Sequence, residues 1–268
     1  MRTALAILLL STICQAVPVD VYYIAGQSNA TGYTTVASDL PAAMQAPRVG
    51  VPLHARSWGY GDLQPGSGGE FGAEMSFGHT LADAGYNVGI IKAGFPSIGL
   101  HEYFWPGSGS IYPEYLLAHV RAGLWSMEDA GYEPTLRGVL WVQGETDAYQ
   151  GVTADTYASD LADLIAFCRA DWGPVPWYVS RLSVNQTGLA VDDLLAIRAG
   201  QAAACDADPL TTMVDADNCT ASVDQLHFDT AGQLSLGRAF ATAVVPEPVS
   251  CLCVLVPFLI MRRRLRNG

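Results

Sequence analysis

The sequence predicts an α/β protein: a central, mainly parallel five-stranded sheet with helices on both faces. Three observations lead there. Short runs rich in β-branched and aromatic residues recur along the 268-residue chain, each bounded by Gly, Pro or Asp. Between them lie longer stretches whose apolar residues recur at helical spacing. No linker-like segment divides the middle, so the alternation reads as one unit of strand–helix–strand crossovers. Half of the residues are hydrophobic and only 15% are charged, which suits a packed core rather than a disordered chain.

Taken in order, Val19 to Ala25 (VDVYYIA) forms the first expected strand and Asn87 to Ala93 (NVGIIKA) the second. Arg137 to Val142 (RGVLWV), Trp177 to Leu182 and Thr211 to Val214 follow. Helices are expected near Ala73–Ala84, Pro113–Ala130, Ala154–Ala170, Asp192–Ala203 and Thr230–Ala243. In the third of these Tyr157, Leu161, Leu164, Ile165 and Cys168 keep to one face. The Gly-rich stretch Gly59–Gly72 lacks a phosphate-loop Lys and follows no clear strand, so it reads as a surface loop bordering the site. In a sheet of this kind ligands bind beyond the C-terminal strand ends.

The two ends differ from the body. Residues 1–16 (MRTALAILLLSTICQA) have a basic residue, an apolar run and a small residue at the close, the layout of a secretory signal peptide cleaved after Ala16. At the other end Pro246-Glu247-Pro248 precedes a 13-residue apolar run, Val249 to Met261, and an arginine cluster. As a helix that run would reach only about 20 Å, short of the roughly 30 Å of a bilayer core. The arrangement resembles the bacterial PEP-CTERM sorting tail, with an arginine-held tail anchor as the alternative. The expected organisation is therefore a signal peptide (1–16), one domain (17–245) and a sorting tail (246–268). The resemblance implies export and sorting machinery as partners. It also implies a cell-surface or extracellular-matrix location, with membrane contact only through the terminal segments and a transient anchor at the tail.

Without its ends the body carries 9 basic and 25 acidic residues, a balance of −16. That disfavours nucleic acid or an anionic membrane as partner. Cys205 and Cys219 lie close in sequence and are the favoured disulfide pair, leaving Cys168 as a small buried hydrophobe. No Cys/His cluster has zinc spacing, and no metal or other cofactor is expected.

Three segments carry candidate chemistry. Ser28 stands in Gly26-Gln27-Ser28-Asn29, where the first strand ends and backbone N–H groups are free to hold an anion. A serine nucleophile needs a base, and of the five histidines only His227 has a carboxylate three residues before it, in Asp224-Gln225-Leu226-His227. Asp215, Asp217 and Asp229 compete with Asp224 as the orienting acid. The third segment, Trp141 to Asp147 (WVQGETD), closes the third strand. There the Gln143 amide is a candidate oxyanion donor, while Glu145 and Asp147 suggest a carboxylate pair or, less well, a metal. Ala30 replaces the last glycine of a Gly-x-Ser-x-Gly elbow, which disfavours an ordinary α/β-hydrolase.

Together the three blocks resemble the SGNH-hydrolase superfamily, in its sialate O-acetylesterase/acetylxylan esterase-like branch. Gly-Gln-Ser-Asn, Trp-Val-Gln-Gly-Glu-Thr-Asp and Asp-Gln-Leu-His are each similar to that branch's blocks, in the same order. Phe71-Gly72-Ala73-Glu74 and Arg198-x-x-Gln201 are weaker likenesses, and the whole spans roughly Val19 to Ala243. The resemblance implies a flavodoxin-like three-layer α/β/α sandwich and a metal-free esterase acting on an acetylated glycan. It implies Ser28 as nucleophile, His227 as base and then acid, and Asp224 as orienting acid. Ser28 N–H and Gln143 would serve as oxyanion donors. One loop departs from the pattern: the branch's Gly-Gly-Thr-Ser glycines align with Pro96 and Ser97. Proline has no N–H, so the third donor falls to the N–H of Ser97 or of Gly94. That departure also motivates the alternative of a non-catalytic carbohydrate-binding or matrix protein on the same fold. Gln27 and Glu145, with His101 and Trp105 from the departing loop, are the candidate substrate contacts.

Overall fold

The computed structural model describes residues 15–245. Most of the signal-type segment (1–14) and the sorting-type tail (246–268) lie outside the described residues.

Five strands lie at the expected positions: β1 (Val17–Gly26), β4 (Val88–Gly94), β5 (Tyr132–Val142), β6 (Trp177–Ser180) and β7 (Thr211–Val214). Two more, β2 (Arg48–Ala55) and β3 (Gly59–Leu63), make the sheet seven-stranded, in the order β3-β2-β4-β1-β5-β6-β7. This corrects both the count of five and the reading of Gly59–Gly72 as wholly loop. All neighbours pair in parallel except β2 and β3, which form an antiparallel edge. That edge explains why it escapes notice. Pro52 sits where the β2–β3 register shifts, a position at which the missing N–H breaks no ladder bond, and Gly-Tyr-Gly-Asp-Leu has no β-branched residue.

Strand β1 lies at the centre, and its side chains alternate between two cores, Tyr23 and Ala25 facing one and Ile24 the other. The first core is closed by α4 (Tyr112–Asp129), α6 (Ala154–Trp172) and α7 (Val191–Ala207); the second by α3 (Glu74–Asp83) and α8 (Thr230–Val244). The result is a three-layer α/β/α sandwich. Short helices α1 (Ser28–Thr31), α2 (Ala42–Gln45) and α5 (Glu145–Tyr149) complete the set, α1 and α5 following the C-terminal ends of β1 and β5.

The expected Cys205–Cys219 bridge is not formed: both cysteines are free and buried. Cys205, on α7, belongs to the first core and Cys219 to the second, so the sheet separates them despite their closeness in sequence. In the second core's flank, Lys92 of β4 is buried with its ammonium 2.7 Å from Glu74 Oε1. The ammonium also lies over the Trp58 ring, 5.1 Å from its centroid. The contact is ionic, without an aligned hydrogen bond from Nζ. Burial pushes the Lys92 pKa down, and the Glu74 carboxylate opposes that shift.

Candidate active site

Strand β1 turns into α1 through Gly26, whose φ of +140° and close approach to β5 exclude any side chain. A Cβ there would lie 1.9 Å from Val142 O. The tight turn puts Ser28 on the first turn of α1, where its own N–H has no carbonyl four residues back to bind. Gly32 closes α1 in the left-handed region, donating to Ser28 O.

From the far end of the chain comes the loop before α8. Asp224 Oδ1 accepts from Ser222 Oγ (2.8 Å), Leu226 N (2.9 Å) and His227 N (2.9 Å). Gln225, between them, has a φ of +60°, and this lets the chain fold back so that Asp224 meets the His227 ring. Asp224 Oδ2 lies 2.7 Å from His227 Nδ1, and His227 Nε2 lies 2.9 Å from Ser28 Oγ. A carboxylate only accepts, so the proton belongs on Nδ1 and Nε2 is left to accept from the serine hydroxyl. Burial raises the Asp224 pKa, but hydrogen bonds from the His227 ring, the His227 and Leu226 amides and the Ser222 hydroxyl outweigh it. They hold the carboxyl well below the usual range. The competing acids are engaged elsewhere. Asp215 and Asp217 pair with Arg181, Asp217 also with Arg198, and Asp229 caps α8.

A buried polar network joins the two halves. Asn29 Nδ2 donates to Glu145 Oε1 (2.5 Å) and Leu226 O (3.3 Å), while Asn29 Oδ1 accepts from Phe228 N (2.8 Å). Gln186 Nε2 donates to the same Glu145 oxygen (3.0 Å) and to Leu226 O (2.9 Å). The residues on both sides of His227 are thus held by the neighbour of Ser28. Glu145 is placed here as a buried brace at the cavity wall rather than as an open substrate contact.

Gln143 does not present its amide to the cavity. Its nitrogen donates to Gln27 Oε1 (3.1 Å) and to the Asp147 carboxylate, and its oxygen accepts from Tyr157 (2.9 Å). With both hydrogens committed, the expected direct oxyanion role is corrected to support of Gln27. Gln27 does line the cavity; its carbonyl oxygen faces Gln143, and its amide nitrogen has no hydrogen-bond partner among the described residues. Ser97 also lines the cavity, with a φ of +61°. This serine holds a backbone conformation ordinarily reserved for glycine. The loop beyond it is fastened by Asp147, which accepts from Leu100 N (2.8 Å) and His101 N (2.9 Å). Burial pushes the Asp147 pKa up, and these hydrogen bonds oppose it. No group of three or more metal-ligating side chains occurs among the described residues.

His101 and Trp105 are not brought to the cavity. A π-turn over Leu100–Phe104 directs them toward α6, where His101 Nδ1 meets Asp160 (2.7 Å) and Trp105 Nε1 donates to Asp163 (3.0 Å). Their rings stack on each other at 5.8 Å. The aromatic residues that do line the cavity are Tyr33 and Tyr149. Sequence reasoning missed both, and only their positions just after α1 and at the end of α5 could have signalled them. The cavity has a volume of about 290 Å³, with Ser28 and His227 in its wall.

No curated protein sequence matches the chain. A protein of Arabidopsis thaliana shares the fold with a TM-score of 0.65 at 19% identity, over 85% of this chain and 98% of that one. A carbohydrate acetylesterase from Xanthomonas citri gives 0.62 at 21%, over 84% of this chain and 55% of that one. NanS gives 0.62 at 16%, over 86% and 97%. Residues 18–246 match the model of a family described as carbohydrate esterase, sialic acid-specific acetylesterase, and the chain belongs to that family.

Proposed function

We propose that the protein is an exported serine esterase that removes acetyl groups from carbohydrate. The observation that carries this reading is the unbroken line Asp224–His227–Ser28, with contacts of 2.7 and 2.9 Å, opening on a cavity. Ser28 Oγ attacks the ester carbonyl while His227 Nε2 takes its proton; the imidazolium, steadied by Asp224, then protonates the leaving sugar oxygen. The Ser28 and Ser97 N–H groups and the Gln27 amide nitrogen receive the negative charge of the tetrahedral intermediate. Water repeats the sequence on the acetyl-enzyme and releases acetate. Membership in the carbohydrate esterase family supports the substrate class.

The test is turnover of p-nitrophenyl esters by the full chain. Acetate is expected to be preferred over butyrate by about tenfold or more, the scale on which a small site discriminates a few methylenes. Equal or better turnover of long-chain esters overturns the acetyl assignment. The hydrogen bonds that Asp224 accepts hold its carboxyl well below the usual range, so protonation of this carboxylate should not limit the rate at mildly acidic pH. Export rests on the patterns of residues 1–16 and 246–268. Mature protein recovered from the producing cell is expected to begin at Val17, outside the cytoplasm and without the tail. Intact termini on a cytoplasmic protein exclude this part of the proposal.

A further inference from the structure

Two large aromatic side chains line the cavity from different elements, and both are mostly uncovered. Tyr33 is 65% exposed and Tyr149 60% exposed. The Tyr33 ring packs against the His227 imidazole, centroids 4.8 Å apart, so any group attached to an ester at Ser28 passes beside it. Tyr149 ends α5 one turn after Glu145, the two sharing a helix face, and its hydroxyl donates to Gly188 O at 3.3 Å. Both rings are therefore held in place before any ligand arrives. The rest of the lining mixes polar Gln27, Ser28, Ser97 and Thr146 with apolar Pro96 and Leu226.

A ligand suited to this site has hydroxyl or ester oxygens on one side and an apolar C–H face on another, which describes a pyranose ring. The negative face of an aromatic ring attracts such C–H groups, and covering two exposed tyrosines adds apolar burial. Tyrosine also supplies this area at small entropic cost, having only two side-chain torsions. A cavity of about 290 Å³ lies at the low end of the ~300–1,000 Å³ of small-molecule sites, which suits one sugar unit rather than a long acyl chain.

We propose that Tyr33 and Tyr149 form an aromatic clamp that binds the pyranose ring bearing the ester and so sets specificity for acetylated sugars. The inference rests on the esterase reading for its purpose, but its test does not. One arm measures kcat/KM for methyl tetra-O-acetyl-β-D-glucopyranoside and for ethyl acetate, which has no ring to clamp. The ratio of the two is expected to drop about 10-fold or more in Tyr33→Ala and in Tyr149→Ala, chiefly through KM. In Tyr33→Phe it should stay within about twofold, because the ring face and its packing on His227 are kept. The second arm measures binding of the same glucoside to the Ser28→Ala chain by tyrosine fluorescence. Saturable binding, lost when Tyr149→Ala is added, supports the clamp even if the wild type hydrolyses neither ester, an outcome that would sink the esterase reading alone. An unchanged ratio, or no binding to Ser28→Ala, overturns the clamp.

Discussion

Replacing Ser28 with alanine should reduce acetyl-ester turnover by about a millionfold, leaving only a residual rate from the binding site and oxyanion donors. The magnitude follows from how the three groups act. In the proposed mechanism His227 has no other proton to take in the first step, and Asp224 serves only to orient and steady the imidazole. Once the hydroxyl is gone, His227→Ala on top of Ser28→Ala should therefore cost little more. That non-additivity is the more discriminating readout, since unrelated losses would multiply. Steady-state rates of the two single variants and the double variant, with folding checked by circular dichroism, decide it. A Ser28→Ala enzyme within tenfold of wild type would remove Ser28 as nucleophile.

The largest expected effect on stability comes from Glu74→Ala. The substitution leaves the Lys92 ammonium buried beside Trp58 with its paired carboxylate removed, and it also takes away the acceptor for Gly72 N. Breaking one side of such a pair costs about 3–5 kcal/mol. In a domain of this size that lowers the melting temperature by roughly 6–20 °C. Lys92→Met added to Glu74→Ala should recover part of the loss, because the expense lies in the uncompensated charge rather than in missing bulk. Thermal melts of the single and double variants test this. A double variant less stable than Glu74→Ala would mean that Lys92 supports the fold through something other than its pairing.

Much of the layout was legible because the central strands are buried on both faces and so carry dense β-branched runs, as in Val-Gly-Ile-Ile-Lys-Ala. The edge was not. Strands β2 and β3 are interrupted by Gly50, Pro52 and Gly61, which break up the β-branched run that marks a strand in the sequence. Ser28, Asp224 and His227 could be picked out because each sits in a short block at a chain reversal. Where a side chain points is a different matter. Gln143 was assigned to the cavity from its strand-end position, yet Gln27 and Asp147 claim its amide hydrogens. The place of His101 and Trp105 in the departing loop points to the cavity, yet a single π-turn aims them at α6. Cys205 and Cys219, neighbours on paper, are parted by the sheet. Local spacing reports which residues lie near a turn, whereas orientation is settled by partners that spacing does not reveal, such as Glu145, 116 positions from Asn29.

That Ser28 and His227 touch across 199 positions of sequence also bears on when the molecule becomes competent. Ser28 follows the innermost strand, among the first segments synthesised, while His227 waits on the loop ahead of the last helix. Contacts of such range form late, after the intervening chain has given up its loop entropy. The nascent protein therefore carries Ser28 without its His227 partner until almost the whole domain has been made and has closed around β1. The Ser28–His227 contact is thus among the last that the fold acquires.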